Sequence, residues 1–396
     1  AVQELLLLPA KMEQVLEKTG YLEALRQAAI LFPIIAVAFT IPYIAFNYHK
    51  YGSILSLRAV IVYTFILYLL CVYCLVILPL PSPEAAAQLH GHKAQLVPFA
   101  FVGDILRNCD FQWSRPETWL SVLGTSAFLT TAFNLLMTMP FGVYLRYYFQ
   151  CRWFKTLALS FLLSLFFEVT QLTGLYFLYP GSYRLFDVDD LMVNTLGGMI
   201  GYLLGGLAAR FLPSRNEIDR ASFVRGHQVS FLRRLVALVY DAVAAAALSG
   251  VLILALAALS LPVHIASAGL LAMVYFMFVP VLSRGQTMGH RLTRLRVVTA
   301  EGERSRWYQY ILRYGSLFAV LYWLPWLLNL AIIFLRDQGI LNDLTALVAG
   351  GALVGGYLFC LLFEAVRMAV HKPLFYERLS RTRVVSTIPP EDPDEP

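Results

Sequence analysis

The chain has 396 residues, of which 59% are hydrophobic and 14% charged, and its mean hydropathy is +0.65. A soluble domain of that length cannot bury so much apolar surface, so a soluble globular fold is excluded and a polytopic membrane protein is expected. The formal net charge of +6 sits in particular loops rather than in one tract, which points to control of topology and away from nucleic-acid binding.

Residues 1–27 mix Lys11, Lys18 and Arg26 with Glu4, Glu13, Glu17 and Glu23, the pattern of an amphipathic helix lying in the membrane interface. Nine apolar stretches follow, at 28–46, 54–79, 118–146, 155–178, 190–212, 231–260, 263–282, 308–335 and 343–370. Each approaches or exceeds the roughly 20 residues a spanning helix needs, and backbone groups in lipid must bond within their own segment, so an all-α fold is predicted. The polar stretch 213–230 divides the chain into two helical membrane domains, 28–212 and 231–386. The Pro- and acid-rich residues 387–396 are expected to be a disordered tail. Of the five cysteines, Cys71 and Cys74 form C-x-x-C, but inside an apolar run, where they read as packing residues.

Loop charge sets the orientation. Arg146, Arg152 and Lys155 crowd the loop after the third span, and Arg215, Arg220 and Arg225 the linker after the fifth. Arg284, Arg291, Arg294 and Arg296 follow the seventh span, and Lys372, Arg378 and Arg381 the ninth. Nine crossings put all four segments on one side, which the positive-inside rule makes cytoplasmic. The N-terminus, the 80–117 loop and the 179–189 loop are then predicted outside.

Between these loops lies a polar constellation at the outer half of the membrane: Glu168, Gln171, Arg184, Asp187, Asp190 and Asn194. A charge at the centre of a spanning helix costs roughly 2.5–3.5 kcal/mol even on the gentler insertion scale, so such a set marks a functional site unless it merely ties helices together. Asp187, Asp190 and Asn194 follow at i+3 and i+4 and share a helix face, with Gly197, Gly201 and Gly205 forming a small-residue ridge behind them. Asn134 and Pro140 on the third span add an amide and a kink. Two chemistries suit this set, beside a structural hydrogen-bond network. The carboxylates Glu168, Asp187 and Asp190 with amide oxygens suit a divalent cation. Alternatively, Arg184 grips a phosphate or carboxylate while an acid transfers protons.

The segments LVPFAF (96–101), NLLMTMPFG (134–142), E-x-x-Q (168–171) and R-x-x-D-x-x-D-x-x-x-N-x-x-G (184–197) occur in order. Over about residues 55–210 the chain resembles the VanZ-like membrane family, named for a protein linked to resistance to the glycopeptide teicoplanin. The resemblance carries over Asn134, Glu168, Gln171, Arg184, Asp187, Asp190 and Asn194 as ligand-binding candidates. The span 28–46 is an addition to a minimal member.

In the second half, Arg234 and Asp241 lie two helical turns apart, Arg313 opens the eighth span, and Glu364 and Arg367 close the ninth. These five read either as a buried charge network or as a titrating ion path. The basic 284–306 loop is expected to rest on anionic lipid head groups. G-x-T-x-G-x-R-L (285–292), RVVTAEG (296–302) and R-L-x-x-T-x-V-V (378–385) make residues 230–386 resemble the RDD membrane family, some members of which are associated with cation/proton exchange. Where that family has aspartate before the last R-L, this chain has the longer Glu377.

Together these readings predict a multi-pass protein of a bacterial cytoplasmic membrane with its C-terminus inside. Its outward site would bind or modify an envelope component: a lipid-linked precursor, a lipid head group or a lipophilic glycopeptide. An ion- or proton-coupled transporter and a non-catalytic scaffold are the alternatives.

Overall fold

The computed structural model describes residues 21–389 except 79, 82–83, 86–87, 92, 110, 113, 260–265 and 371. Most of the segment expected to form the N-terminal surface helix, residues 1–20, and the tail beyond 389 therefore lie outside the described residues. Among those described, eight helices are long and apolar enough to cross a membrane, and Leu271–Leu282 is a shorter apolar helix. The all-α polytopic architecture expected from composition is the one observed.

The chain forms two compact units. One holds residues up to Ile41 together with Leu55–Asp219, and the other holds Pro42–Ile54 with Arg220 onward. This differs from the contiguous division expected at 213–230. The physical reason lies in the second unit, where Tyr51 stacks edge-on against Phe223 and a side chain at Gly52 would strike Arg233 and Ile388. The supposed linker is itself mostly helical, Arg215–Gly226.

Helix α1 (Tyr21–Tyr51), which belongs to the first unit only up to Ile41, starts earlier than the expected span, so residues 21–27 belong to it. Ala24 and Ala28 on α1 pack against Cys74 of α2 (Ser56–Ile77), and all five cysteines are free. The segment between the second and third spans carries strand β1 (Ala94–Gln95), helix α3 (Ala100–Arg107) and a 3₁₀ turn, Pro116–Gly124. Then come α4 (Ser126–Tyr147), α5 (Trp153–Leu172), β2 (Phe186–Asp187) and α6 (Val188–Ala208), and after them α7 (Arg215–Gly226), which passes from the first unit to the second after Asp219. β1 pairs in parallel with β2, Ala94 beside Phe186 and Gln95 beside Asp187.

Two features hold α4, α5 and α6 together. A side chain at Gly197 or Gly201 would run into the backbone of Leu135 or Met139 on α4, and one at Gly205 would stand 3.0 Å from the Val143 carbonyl. Gly198 is occupied from the other side by Ser160 of α5, whose Cβ would stand 2.7 Å from an added Cβ. The glycine ridge thus lets α6 touch the α4 backbone directly, where dispersion and small residues rather than hydrophobic burial drive association in lipid. Pro140 breaks the α4 ladder, and the Tyr68 hydroxyl enters there. It accepts from Phe141 N at 3.2 Å and donates to Met137 O at 2.9 Å, bridging backbone groups one helical turn apart.

The second unit contains α8 (Phe231–Ala258), α9 (Ala266–Leu282), α10 (Met288–Leu292), β3 (Leu295–Thr299), α11 (Trp307–Phe318) and α12 (Leu324–Asp337). α13 (Asp343–Ala369), α14 (Phe375–Ser380) and β4 (Thr382–Ser386) complete it. A π-helical turn, Ala319–Trp323, joins α11 to α12. Its cause is Pro325, which lacks the N–H that would meet the Leu321 carbonyl. The Tyr357 hydroxyl donates to that carbonyl instead, at 3.0 Å.

The basic 284–306 segment contains a strand. β3 pairs antiparallel with β4, from Leu295 opposite Ser386 to Thr299 opposite Thr382. Leu295, Val297 and Val384 turn inward with Tyr310 and Tyr314 to form the core. Thr387, assigned to the tail, still donates its N–H to Arg294 O at 2.8 Å, and Ile388 is buried.

Candidate functional site

The polar residues of the first unit divide by what they hold. Gln171 Nε2 donates to Val76 O at 2.9 Å, and Arg184 donates to Val76 O at 2.9 Å and Leu78 O at 3.3 Å. These carbonyls close α2, where a helix end leaves acceptors unfilled, so both side chains serve as a C-terminal cap. Arg184, expected to grip a ligand's phosphate or carboxylate, is exposed and gives these hydrogen bonds to backbone carbonyls.

The carboxylates form the second group. Glu168, only 2% exposed, accepts the Asp187 N–H at 2.9 Å. Asp187 caps α6 by accepting the Asp189 N–H at 2.8 Å, and it also takes Gln95 Nε2 at 3.3 Å. Asp190 accepts Asn134 Nδ2 at 2.8 Å. Asp187, Asp190 and Arg184 all lie within electrostatic reach of Glu168. Burial pushes the Asp187 carboxyl above its usual range, against the pull of the Asp189 N–H. Among the described residues none of these three carboxylates forms an ion pair. Among the same residues, no three His, Cys, Asp or Glu side chains form a group of metal-holding geometry.

Sequence reasoning passed over two features here. Asp189, 4% exposed, accepts Phe99 N at 2.6 Å and Phe101 N at 2.9 Å, tethering the LVPFAF loop whose Phe99 has a left-handed backbone. Its signal was the middle acid of the D-x-D-D run in the first helical turn. The second feature is a stripe on α5: Thr156, Ser160, Ser164 and Glu168 recur every four residues and are all at most 3% exposed. Ser164 Oγ donates to Asp190 O at 3.2 Å and accepts Asn194 Nδ2 at 3.0 Å. Ser160 Oγ and Asn194 Oδ1 are buried without a hydrogen-bond partner. The i+4 spacing was legible, but hydroxyls in a spanning helix attract less notice than charges.

In the second unit the five expected residues separate into three places. Asp241 meets no arginine. It accepts Tyr275 Oη at 2.8 Å, Thr287 Oγ1 at 2.5 Å and Gly289 N at 2.7 Å. The Thr and second Gly of G-x-T-x-G-x-R-L therefore hold this carboxylate, and a side chain at Gly289 would meet Asp241 Cγ at 2.8 Å. Arg234 and Arg313 instead share Glu377 Oε1, at 3.0 and 3.2 Å, while Arg313 also donates to Thr382 Oγ1 at 2.8 Å. The longer Glu377 thus bridges two guanidiniums with one oxygen and takes Leu374 N with the other, at 3.1 Å. Glu364 and Arg367 face each other at 3.9 Å and fasten the turn at Pro373–Phe375.

Arg233, next to the residue singled out by sequence, is the most enclosed charge of this unit at 0% exposure. It donates to the carbonyls of Gly226, Gln228, Thr293 and Arg294 and to Ser386 Oγ, at 2.6–3.5 Å. His290 stands near Arg313 and Arg234. Burial, with the field of those two cations, drives its pKa down to about 3, and its Nδ1 has no hydrogen-bond partner. The unfolded chain takes up that proton below about pH 6.5, whereas the folded one does not until about 3. The His290 contribution to stability is therefore complete above pH 6.5 and declines as the pH falls toward 3. The melting temperature is expected to drop between pH 7 and 4.5 and His290→Asn to flatten that slope; a slope unchanged by the substitution refutes the assignment.

Among the described residues, eight helices long and apolar enough to cross a membrane, in two compact units with buried polar clusters, define a multi-pass helical membrane protein. Residues 65–209 match the family model VanZ/LLP1 and residues 229–371 that of the RDD family. The chain is a fusion of a VanZ-like membrane domain and an RDD membrane domain. Every VanZ-type candidate, from Asn134 to Asn194, falls inside the first match. The R-L-x-x-T-x-V-V segment lies beyond the second match, yet its β4 strand pairs with β3 inside it. No curated protein and no solved structure matches the chain.

Proposed function

We propose that the VanZ-like domain binds or modifies a cell-envelope component at the outer face of a bacterial cytoplasmic membrane, and thereby contributes to glycopeptide tolerance. The observation that carries this reading is the gathering of Glu168, Asp187 and Asp190 at one end of α5 and α6 with no cation paired to them. Carboxylates so placed attract a ligand bearing amino or hydroxyl donors. Beside them the Asp189-tethered loop exposes Leu96, Val97 and Phe99 at 65%, 68% and 60%. Acid next to exposed apolar surface suits an amphiphile: a lipid-linked wall precursor, an amine-bearing lipid head group or a lipophilic glycopeptide. The distribution of basic loops supports the outward orientation.

Orientation is tested first. In a Cys-free background, cysteines at Phe186 and Ala100 should react with an impermeant thiol reagent from outside, and one at Arg220 should not; the reverse pattern removes the outward site. Tolerance to teicoplanin is then compared across variants at equal membrane abundance. Glu168→Gln and Asp190→Asn should each lose tolerance, with the double change costing little more than either alone. Arg184→Ala, which uncaps α2, should instead lose abundance and tolerance together. Full tolerance in the double variant overturns the proposal.

The buried α5 stripe favours a second reading, in which protons or small cations move along Thr156, Ser160, Ser164 and Glu168. In liposomes this reading requires a flux that Ser160→Ala and Glu168→Gln both abolish.

A further inference from the structure

A cavity of about 540 Å³ opens in the RDD unit among Arg234, Met368, Lys372, Glu377, Arg383 and Val385. Its size falls within the roughly 300–1,000 Å³ of small-molecule sites. Its charge is unbalanced. Glu377 is the acid in its wall, and one Glu377 oxygen already serves both Arg234 and Arg313 while the other takes a backbone N–H. Two guanidiniums on one carboxylate leave a positive charge uncompensated. Lys372 and Arg383 add two more, and among the described residues neither forms an ion pair. Glu301, on the hairpin beside Arg383, is exposed and lies outside the cavity wall.

Position adds a second constraint. Arg234 lies in the first turn of the spanning helix α8, and Met368 in the last turn of the spanning helix α13. The cavity therefore sits where spans end, at the depth of lipid head groups. Met368, Val385 and Pro373 make part of its wall apolar. Arg234 lines the cavity and is held by its bond to buried Glu377, so it has less side-chain freedom to lose when a ligand binds.

We propose that this cavity binds a phosphate-bearing anion, with Arg234, Lys372 and Arg383 as its charged contacts. The same chemistry occurs in a phosphomonoester lipid and in soluble phosphate. The full chain, purified in neutral detergent, is melted with dihexanoyl phosphatidic acid, dihexanoyl phosphatidylcholine or inorganic phosphate. Phosphatidic acid should raise the melting temperature and phosphatidylcholine should not. Lys372→Gln/Arg383→Gln should weaken the apparent affinity by about tenfold or more, as expected for lost charge-assisted contacts. Both side chains are exposed, so this variant should melt like the parent without ligand. A matching response to inorganic phosphate assigns the site to soluble anions, and a response to the lipid alone assigns it to the membrane. No shift with either anion, or an undiminished shift in the double variant, overturns the proposal.

Discussion

Arg233→Ala is expected to be the most damaging single change in the RDD unit. It strips donors from four carbonyls and the Ser386 hydroxyl at once, in a place closed to water. Removing one partner from a buried charged network costs on the order of 3–5 kcal/mol. With 2–4 °C lost per kcal/mol in a domain of this size, the melting temperature should fall by roughly 6–20 °C. Arg233→Lys should recover little, because three donors on a flexible stem cannot span acceptors that a planar fork reaches together. A melting temperature within about 2 °C of the parent, less than 1 kcal/mol on the same scale, rules out the hub role.

Gly201→Val is expected to do comparable harm in the VanZ-like unit. Its Cβ would occupy the position of the Met139 carbonyl on α4, and a backbone atom cannot rotate aside. Overpacking of this kind costs about 1–3 kcal/mol and occasionally more, and here it also parts the helices that carry Asn134 and Asp190. The control is Gly206→Val, where an added Cβ meets nothing within 4 Å. Melting and size-exclusion profiles should separate the two variants. Equal behaviour removes the direct α4–α6 backbone contact as an element of stability.

The sequence makes the helices legible because lipid enforces a strong rule: a long apolar run with no external hydrogen-bond partner must be a helix. The glycine ridge could be read for the same reason, since its four-residue period falls on one face. What could not be read is which acceptor each polar group finds. Arg184 reads as a ligand fork, yet it caps α2, because its partners are carbonyls more than 100 residues earlier in the chain. Arg234 and Asp241 share a helix face at a spacing of seven, but each finds a closer partner on another segment. The β3–β4 pairing was hidden in the same way, as two short basic runs whose alternation shows only once they meet.

That pairing also orders the assembly of the RDD unit in time. Ser386 reaches Arg233 across 153 positions of chain, and β3 has no partner until Thr382–Ser386 has been synthesised. Until then the guanidinium lacks one acceptor and a strand edge lies open, a state prone to mispairing and to proteolysis. The last strand therefore works as a keystone. A chain that ends before residue 382 keeps every apolar span but lacks the strand that pairs with β3 and one of the acceptors of Arg233.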